Sequence, residues 1–120
     1  MNLIEIFSII IVHWFADFVL QTDKQAKGKS KNWKDLLSHT FNYSLTFWCF
    51  AVIAFNGNLI KACYFYVITL VLHTITDYFT SRLNSKLWEQ GKVHYFFVSI
   101  GFDQVLHYVQ LFTTYYLLTK

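Results

Sequence analysis

Val71-Leu72-His73-Thr74-Ile75-Thr76-Asp77-Tyr78 sets a histidine and an aspartate four residues apart inside a largely oily run, Leu59 to Thr80. Residues at that spacing share one helix face, about 6 Å apart along the axis. An ionised aspartate at the centre of a lipid-spanning helix costs roughly 2.5–3.5 kcal/mol on insertion scales, so such a face turns towards protein and usually serves a function. The pair recurs in three other apolar segments, as His13-x3-Asp17, Asp35-x3-His39 and Asp103-x3-His107, with its order alternating along the chain. A chain that crosses a membrane up, down, up and down must reverse its local order to keep like residues at like depth. The alternation predicts an all-α fold, an integral membrane four-helix bundle of two antiparallel hairpins. Four aspartates then form one layer, with four histidines one turn deeper.

Composition agrees. The 120 residues are 55% hydrophobic, 21% aromatic and 14% charged, without proline, too apolar for an ordinary small soluble domain. A span needs roughly 20 mostly apolar residues, and stretches at about 3–21, 36–56, 59–80 and 95–118 qualify, making 1–120 a single transmembrane domain. The most polar is 36–56, with Ser38, His39, Thr40, Asn42, Ser44 and Thr46. The first reads as a retained helix, since it carries Glu5 in place of a basic n-region and lacks a small-residue cleavage site.

Lys24, Lys27, Lys29, Lys31 and Lys34 follow the first segment, and Arg82, Lys86 and Lys92 follow the third, whereas the other side has Lys61 and Lys120. The positive-inside rule puts both basic loops in the cytoplasm, leaving the two termini and the Asn56-Gly57-Asn58 turn on the non-cytoplasmic side of a multi-pass inner (cytoplasmic) membrane protein. The net charge of +3 is thereby assigned to topology and contact with the lipid bilayer. No nucleic-acid recognition motif accompanies it, so no nucleic-acid partner is expected. Cys49 and Cys63 lack thiolate-zinc spacing. A short interfacial helix anchored by Trp33 is expected between Thr22 and Lys34, and a third connection at about Asn84 to His94. The similarity of His13-x3-Asp17 and His73-x3-Asp77, each followed by a basic loop and an Asp-x3-His segment, suggests two copies of one hairpin.

Random placement of five aspartates and five histidines yields about 0.4 pairs at helical spacing, so four are not accidental. Like-charged carboxylates in one layer need protons or cations. His13, Asp17, Asp35, His39, His73, Asp77, Asp103 and His107 are therefore candidate ligands for a divalent metal, with Zn, Mn or Fe suited to imidazole and carboxylate and room for two ions. Asp35 fits an N-cap equally well, and the other pairs also suit interhelical hydrogen bonding. Gln21, Gln104 and Arg82 are candidate substrate-binding groups; a Gln at an interface and an Arg anchoring a helix end are the plainer readings.

The motifs His13-x3-Asp17-Phe-Val-Leu-Gln21, His73-x3-Asp77 and Phe97-x3-Gly101-x-Asp103-Gln104-x2-His107 resemble an uncharacterised family of small bacterial and phage integral membrane proteins. More distantly, the pattern is similar to bacterial membrane-bound metal-dependent hydrolases. That resemblance implies an enzyme hydrolysing a phosphate or ester near the cytoplasmic leaflet, a lipid or other phosphoester, with Asp103 and Asp77 as catalytic carboxylates. Two alternatives stand beside it. One is a transport or channel component for protons or divalent metal, thin enough as four helices to call for a homo-oligomer. The other is a membrane interaction protein with a structural metal.

Overall fold

The computed structural model describes all 120 residues, and every regular element is helical. Helix α1, Leu3–Trp14, begins at a capping box in which the Asn2 side chain accepts the Glu5 N–H and the Glu5 carboxylate accepts the Asn2 N–H. It runs into a π-helical turn, Phe15–Val19. Helix α2, Asp23–Gly28, starts from a second capping box between Thr22 and Gln25. Helix α3, Trp33–Ala54, is capped by Asn32, and α4, Leu59–Glu89, by Asn58. Helix α5 is Val93–Leu118. Asn56 and Gly57, at φ 54° and 81°, turn α3 back into α4, and Gly91, at φ 70°, turns α4 into α5.

Four long helices stand in a ring, α1 against α3, α3 against α4, α4 against α5 and α5 against α1, while the diagonal pair α3 and α5 meets only through long side chains such as Phe50 and Tyr115. The short α2 lies against the start of α3. One end of the ring interior is a dry plug that includes Ile9, Phe47, Ala51, Ala62, Phe65, Leu111 and Tyr115. The basic end holds the histidines and aspartates.

Two expectations shift. The helix in the first basic loop is Asp23–Gly28, and Trp33 instead opens α3, stacked on Tyr78 with ring centroids 5.1 Å apart. The third connection contracts to Gln90–Lys92 because nothing between Asn84 and Glu89 breaks a helix before Gly91.

Of the four segments expected to span a membrane, α4 alone is long and apolar enough by its own length and composition, with hydropathy 1.6 over its best 18-residue window. The others fall short for identifiable reasons. Helix α1 has 12 residues before the π-turn, the first half of α3 carries Lys34, Asp35, Ser38, His39 and Asn42, and α5 carries Asp103, Gln104, His107 and Gln110. Candidate site residues themselves depress the hydropathy. The surface nevertheless inverts the usual partition: polar and charged side chains outnumber hydrophobic ones among the 26 buried residues, while Ile4, Ile53 and Ile60 are 76%, 80% and 71% exposed.

Gly28 marks the tightest seam, since a Cβ there would lie 1.8 Å from Asp35 Oδ2 and 2.9 Å from Asp35 Cβ. Gly28→Ala is expected to cost about 1–3 kcal/mol by overpacking. Gly101→Ala, which meets nothing within 4 Å inside α5, is expected to gain up to about 1 kcal/mol from helix propensity. Thermal unfolding of the two variants checks both signs.

Candidate metal centre

The α-helical ladder of α1 slips at the π-turn, where the Leu20 N–H donates to the Phe15 carbonyl five residues back at 2.9 Å. Such turns recur at functional positions, and this one carries Asp17. In the regular helices the i,i+4 partners approach closely, with Nε2–Oδ2 distances of 3.2 Å for both His73–Asp77 and His107–Asp103. His13 and Asp17 are 3.7 Å apart. Freed from its own helix, Asp17 Oδ1 meets His39 Nε2 of α3 at 3.0 Å.

Four buried ligand atoms converge there, from Asp17, His39, His73 and Asp77. His39 Nε2 is 3.2 Å from Asp77 Oδ2 and 3.3 Å from His73 Nε2, and His73 Nε2 is 3.2 Å from Asp77 Oδ2 and 3.6 Å from Asp17 Oδ1. A tetrahedral ion with ligand bonds near 2.1 Å has edges of about 3.4 Å, so these separations suit one cation at the centre. Hydrogen bonding alone satisfies the set poorly. An imidazole nitrogen carries at most one proton, yet each Nε2 faces two carboxylate oxygens and the other ring.

A second group, Asp17, Asp103 and His107, shares Asp17 with the first. His107 Nε2 lies 3.2 Å from both Asp77 Oδ1 and Asp103 Oδ2, tying the groups together. The Asp103 carboxylate is oriented by Thr80, which donates to Oδ1 at 2.6 Å, and by the Gln104 amide, 3.2 Å from Oδ2. The His73 ring is clamped between Tyr43 and His107, at centroid distances of 3.7 and 4.1 Å. Its Nδ1 has no hydrogen-bond partner, so stacking places this ring.

Lys29 comes from outside the four long helices, on the chain just after α2, and its Nζ reaches Asp77 Oδ2 at 3.3 Å. Burial pulls its pKa down, but the charges of Asp77, Asp17 and Asp103 and the hydrogen bond to Asp77 outweigh that and hold the ammonium above the ordinary lysine range. It stays charged. Beside it a cavity of about 530 Å³ opens at the basic end, with Asp17 and Asp103 among its lining residues. Gln21 Oε1, Ser81 Oγ and Asn84 Oδ1 lie in that lining, buried and without partners.

The candidate residues therefore divide. Asp17, His39, His73, Asp77, Asp103 and His107 come together, and Gln21 and Gln104 line the adjoining cavity. His13 and Asp35 join neither group. His13 is in the wall, with Nδ1 2.7 Å from the Tyr43 hydroxyl and Nε2 2.6 Å from Gln104 Oε1. Asp35 is not the N-cap either, because Asn32 caps α3 by accepting the Asp35 N–H, and the Asp35 carboxylate accepts from the Asn32 amide in return. Arg82 lies outside the cavity lining; its guanidinium packs over Tyr78 and donates to the Ser30 carbonyl at 2.7 Å, fastening the first basic loop to α4. Lys29, Ser81, Asn84 and Ser85 are site residues that sequence reasoning missed. Ser81, Asn84 and Ser85 continue the Asp77 face by one and two further turns, a signal hidden by ending the third helix at residue 80.

Residues 6–120 match a family described as "Protein of unknown function (DUF3307)". No curated protein and no solved structure matches the chain.

If the converging atoms are ligands, His73→Ala and His39→Ala abolish retention of divalent metal, whereas His13→Ala, whose two ring nitrogens are already engaged, retains it. Elemental analysis of the purified variants checks this, and loss on His13→Ala alone would contradict the assignment.

Proposed function

We propose that this chain, which belongs to the DUF3307 family, is a multi-pass inner-membrane, metal-dependent hydrolase of a phosphate or ester at the cytoplasmic leaflet. The observation that carries the reading is the convergence of two imidazoles and two carboxylates at 3.0–3.6 Å directly beside a polar cavity. Membrane residence is supported by the inverted partition, with oily residues outside and ionisable ones inside. The long dimension of 47 Å exceeds a hydrocarbon core of about 30 Å, so the last turns of α4 project into the cytoplasm. Both termini then lie on the opposite side.

Charge supports one resident ion, of a kind that imidazole and carboxylate share, Zn, Mn or Fe. Asp17, Asp77 and Asp103 carry three negative charges, which one divalent ion and the Lys29 ammonium neutralise. Asp17, His39, His73 and Asp77 would hold the ion. When bound, such an ion makes hydroxide available at neutral pH and polarises a phosphoryl oxygen. Asp103, facing both the centre and the cavity, accepts the proton of the attacking water. In a phosphoester the water oxygen bonds to phosphorus, the phosphorus–oxygen bond to the alcohol breaks, and Asp103 returns the proton to the departing alkoxide. Thr80 and Gln104 keep the Asp103 carboxylate aimed, and Lys27 in the cavity lining supplies positive charge for the phosphate.

Transport of protons or metal is the less supported reading. Polar groups continue one turn below the histidines, where the Gln110 amide donates to Thr69 and Thr114. Below them Phe47 and Phe65 stack at 5.9 Å within the dry plug. A polar path that ends in aromatic packing suits a one-sided site.

Asp103→Asn is expected to lower kcat for a phosphoester by about 10²–10⁴-fold while leaving metal content near that of the unaltered protein. Unchanged turnover would remove Asp103 from the chemistry. Reporter fusions at both termini are expected to be active only on the non-cytoplasmic side.

A further inference from the structure

Resting on the hydrolase reading, we infer that the substrate is a lipid phosphate, entering sideways from the membrane with its phosphate in the cavity and its chain left among the tails. The cavity lining is of two unlike kinds. Lys27, Lys29, Ser81, Asn84 and Ser85 are polar or basic, and Phe18, Phe96, Phe97 and Ile100 are apolar. A soluble phosphoester has no use for the second kind.

The side opening follows from the helix ring. Helix α1 meets α5 through the His13–Gln104 bond, but the backbone of the π-turn that continues α1 towards the basic end stands off from α5, which it meets through the Asp17 side chain beside Asp103 and His107. That gap leaves Phe18, on the π-turn, and Phe97, on α5, 48% and 61% exposed at the cavity margin. Both face the surface on which other oily residues lie, so the cavity communicates with the layer that those residues occupy.

Chemistry selects the headgroup. Lys27, in the lining, attracts an anion, and the unpartnered Ser81 hydroxyl can donate to a phosphoryl oxygen. Asn84 and Gln21 each offer an amide that no protein group has engaged through its oxygen, suited to hydroxyls or water around the phosphate. Asp17 and Asp103 at the cavity's inner side set the scissile phosphorus–oxygen bond beside the metal centre. Attack of water there releases inorganic phosphate to the cytoplasm and leaves the lipid alcohol in the membrane. The product splits between the two phases that meet at the cavity.

The test compares phosphate release from phosphatidic acid in proteoliposomes with release from glycerol 3-phosphate, which has the same phosphate and no chains, using metal-loaded full-length protein. A preference for the lipid of about 100-fold or more in kcat/KM is expected from binding energy supplied by the chain. Phe97→Ser is expected to lower lipid turnover by about tenfold, while Phe79→Ser, equally exposed on α4 but outside the cavity lining, leaves it unchanged. Equal rates on the two substrates would overturn lateral lipid entry and leave the hydrolase reading standing. No release from either substrate, nor from p-nitrophenyl phosphate, would overturn both.

Discussion

Three carboxylates buried within reach of one another are the constraint on which this molecule depends. At an effective dielectric of about 20, two like charges 4 Å apart repel by roughly 4 kcal/mol, and Asp17, Asp77 and Asp103 share a site from which water is largely excluded. Cations must enter. Lys29 brings one from the first basic loop, and three imidazoles aim their Nε2 atoms at the same oxygens. Holding seven such groups together demands helices whose inward faces are polar. The polar interior at the basic end is thus a consequence of the site.

Much of this was written in local spacing. His73-x3-Asp77 and Asp103-x3-His107 lie on uninterrupted α-helices, where four residues is one turn, and both members of each pair reach the centre. Helix class, the turn at Asn56-Gly57 and the clustering of six candidates followed from the same periodicity. What spacing could not convey were the interactions that cross between helices. His39 engages Asp17 and Asp77 rather than Asp35, because Asp35 is held by Asn32 and pressed on Gly28. Lys29 was read as a topology signal, since a lysine among lysines carries no periodicity of its own. The four spans expected from composition are met by one helix on hydropathy alone, because the polar inner faces dilute the oily outer ones.

The two hairpins contribute unequally. The second supplies both members of its pairs to the centre, whereas the first supplies Asp17 and His39 and retains His13 and Asp35 as supports. His13 bridges α3 and α5 through Tyr43 and Gln104, and Asp35 fixes the approach of α2 to α3. One hairpin turns all four of its paired residues to the centre, and the other divides its four between centre and frame.

The π-turn at Phe15–Val19 has a consequence for how this chain can change. A π-helical segment accommodates one residue more per turn of bonding than the α-ladder on either side, so Asp17 sits where it does because of the number of residues ahead of it, as well as their kind. Deleting one residue of the turn would let the helix close into a regular α-ladder while everything beyond it kept nearly its present orientation, because the π-turn absorbs its extra residue without turning the helix that follows. The turn itself would lose its displacement, and Asp17 the offset that brings it to His39, while the residue lost could be chemically dispensable. Substitution can wander through this segment, but insertion and deletion cannot, and an unchanging length between His13 and Gln21 is the trace such a constraint leaves among related chains.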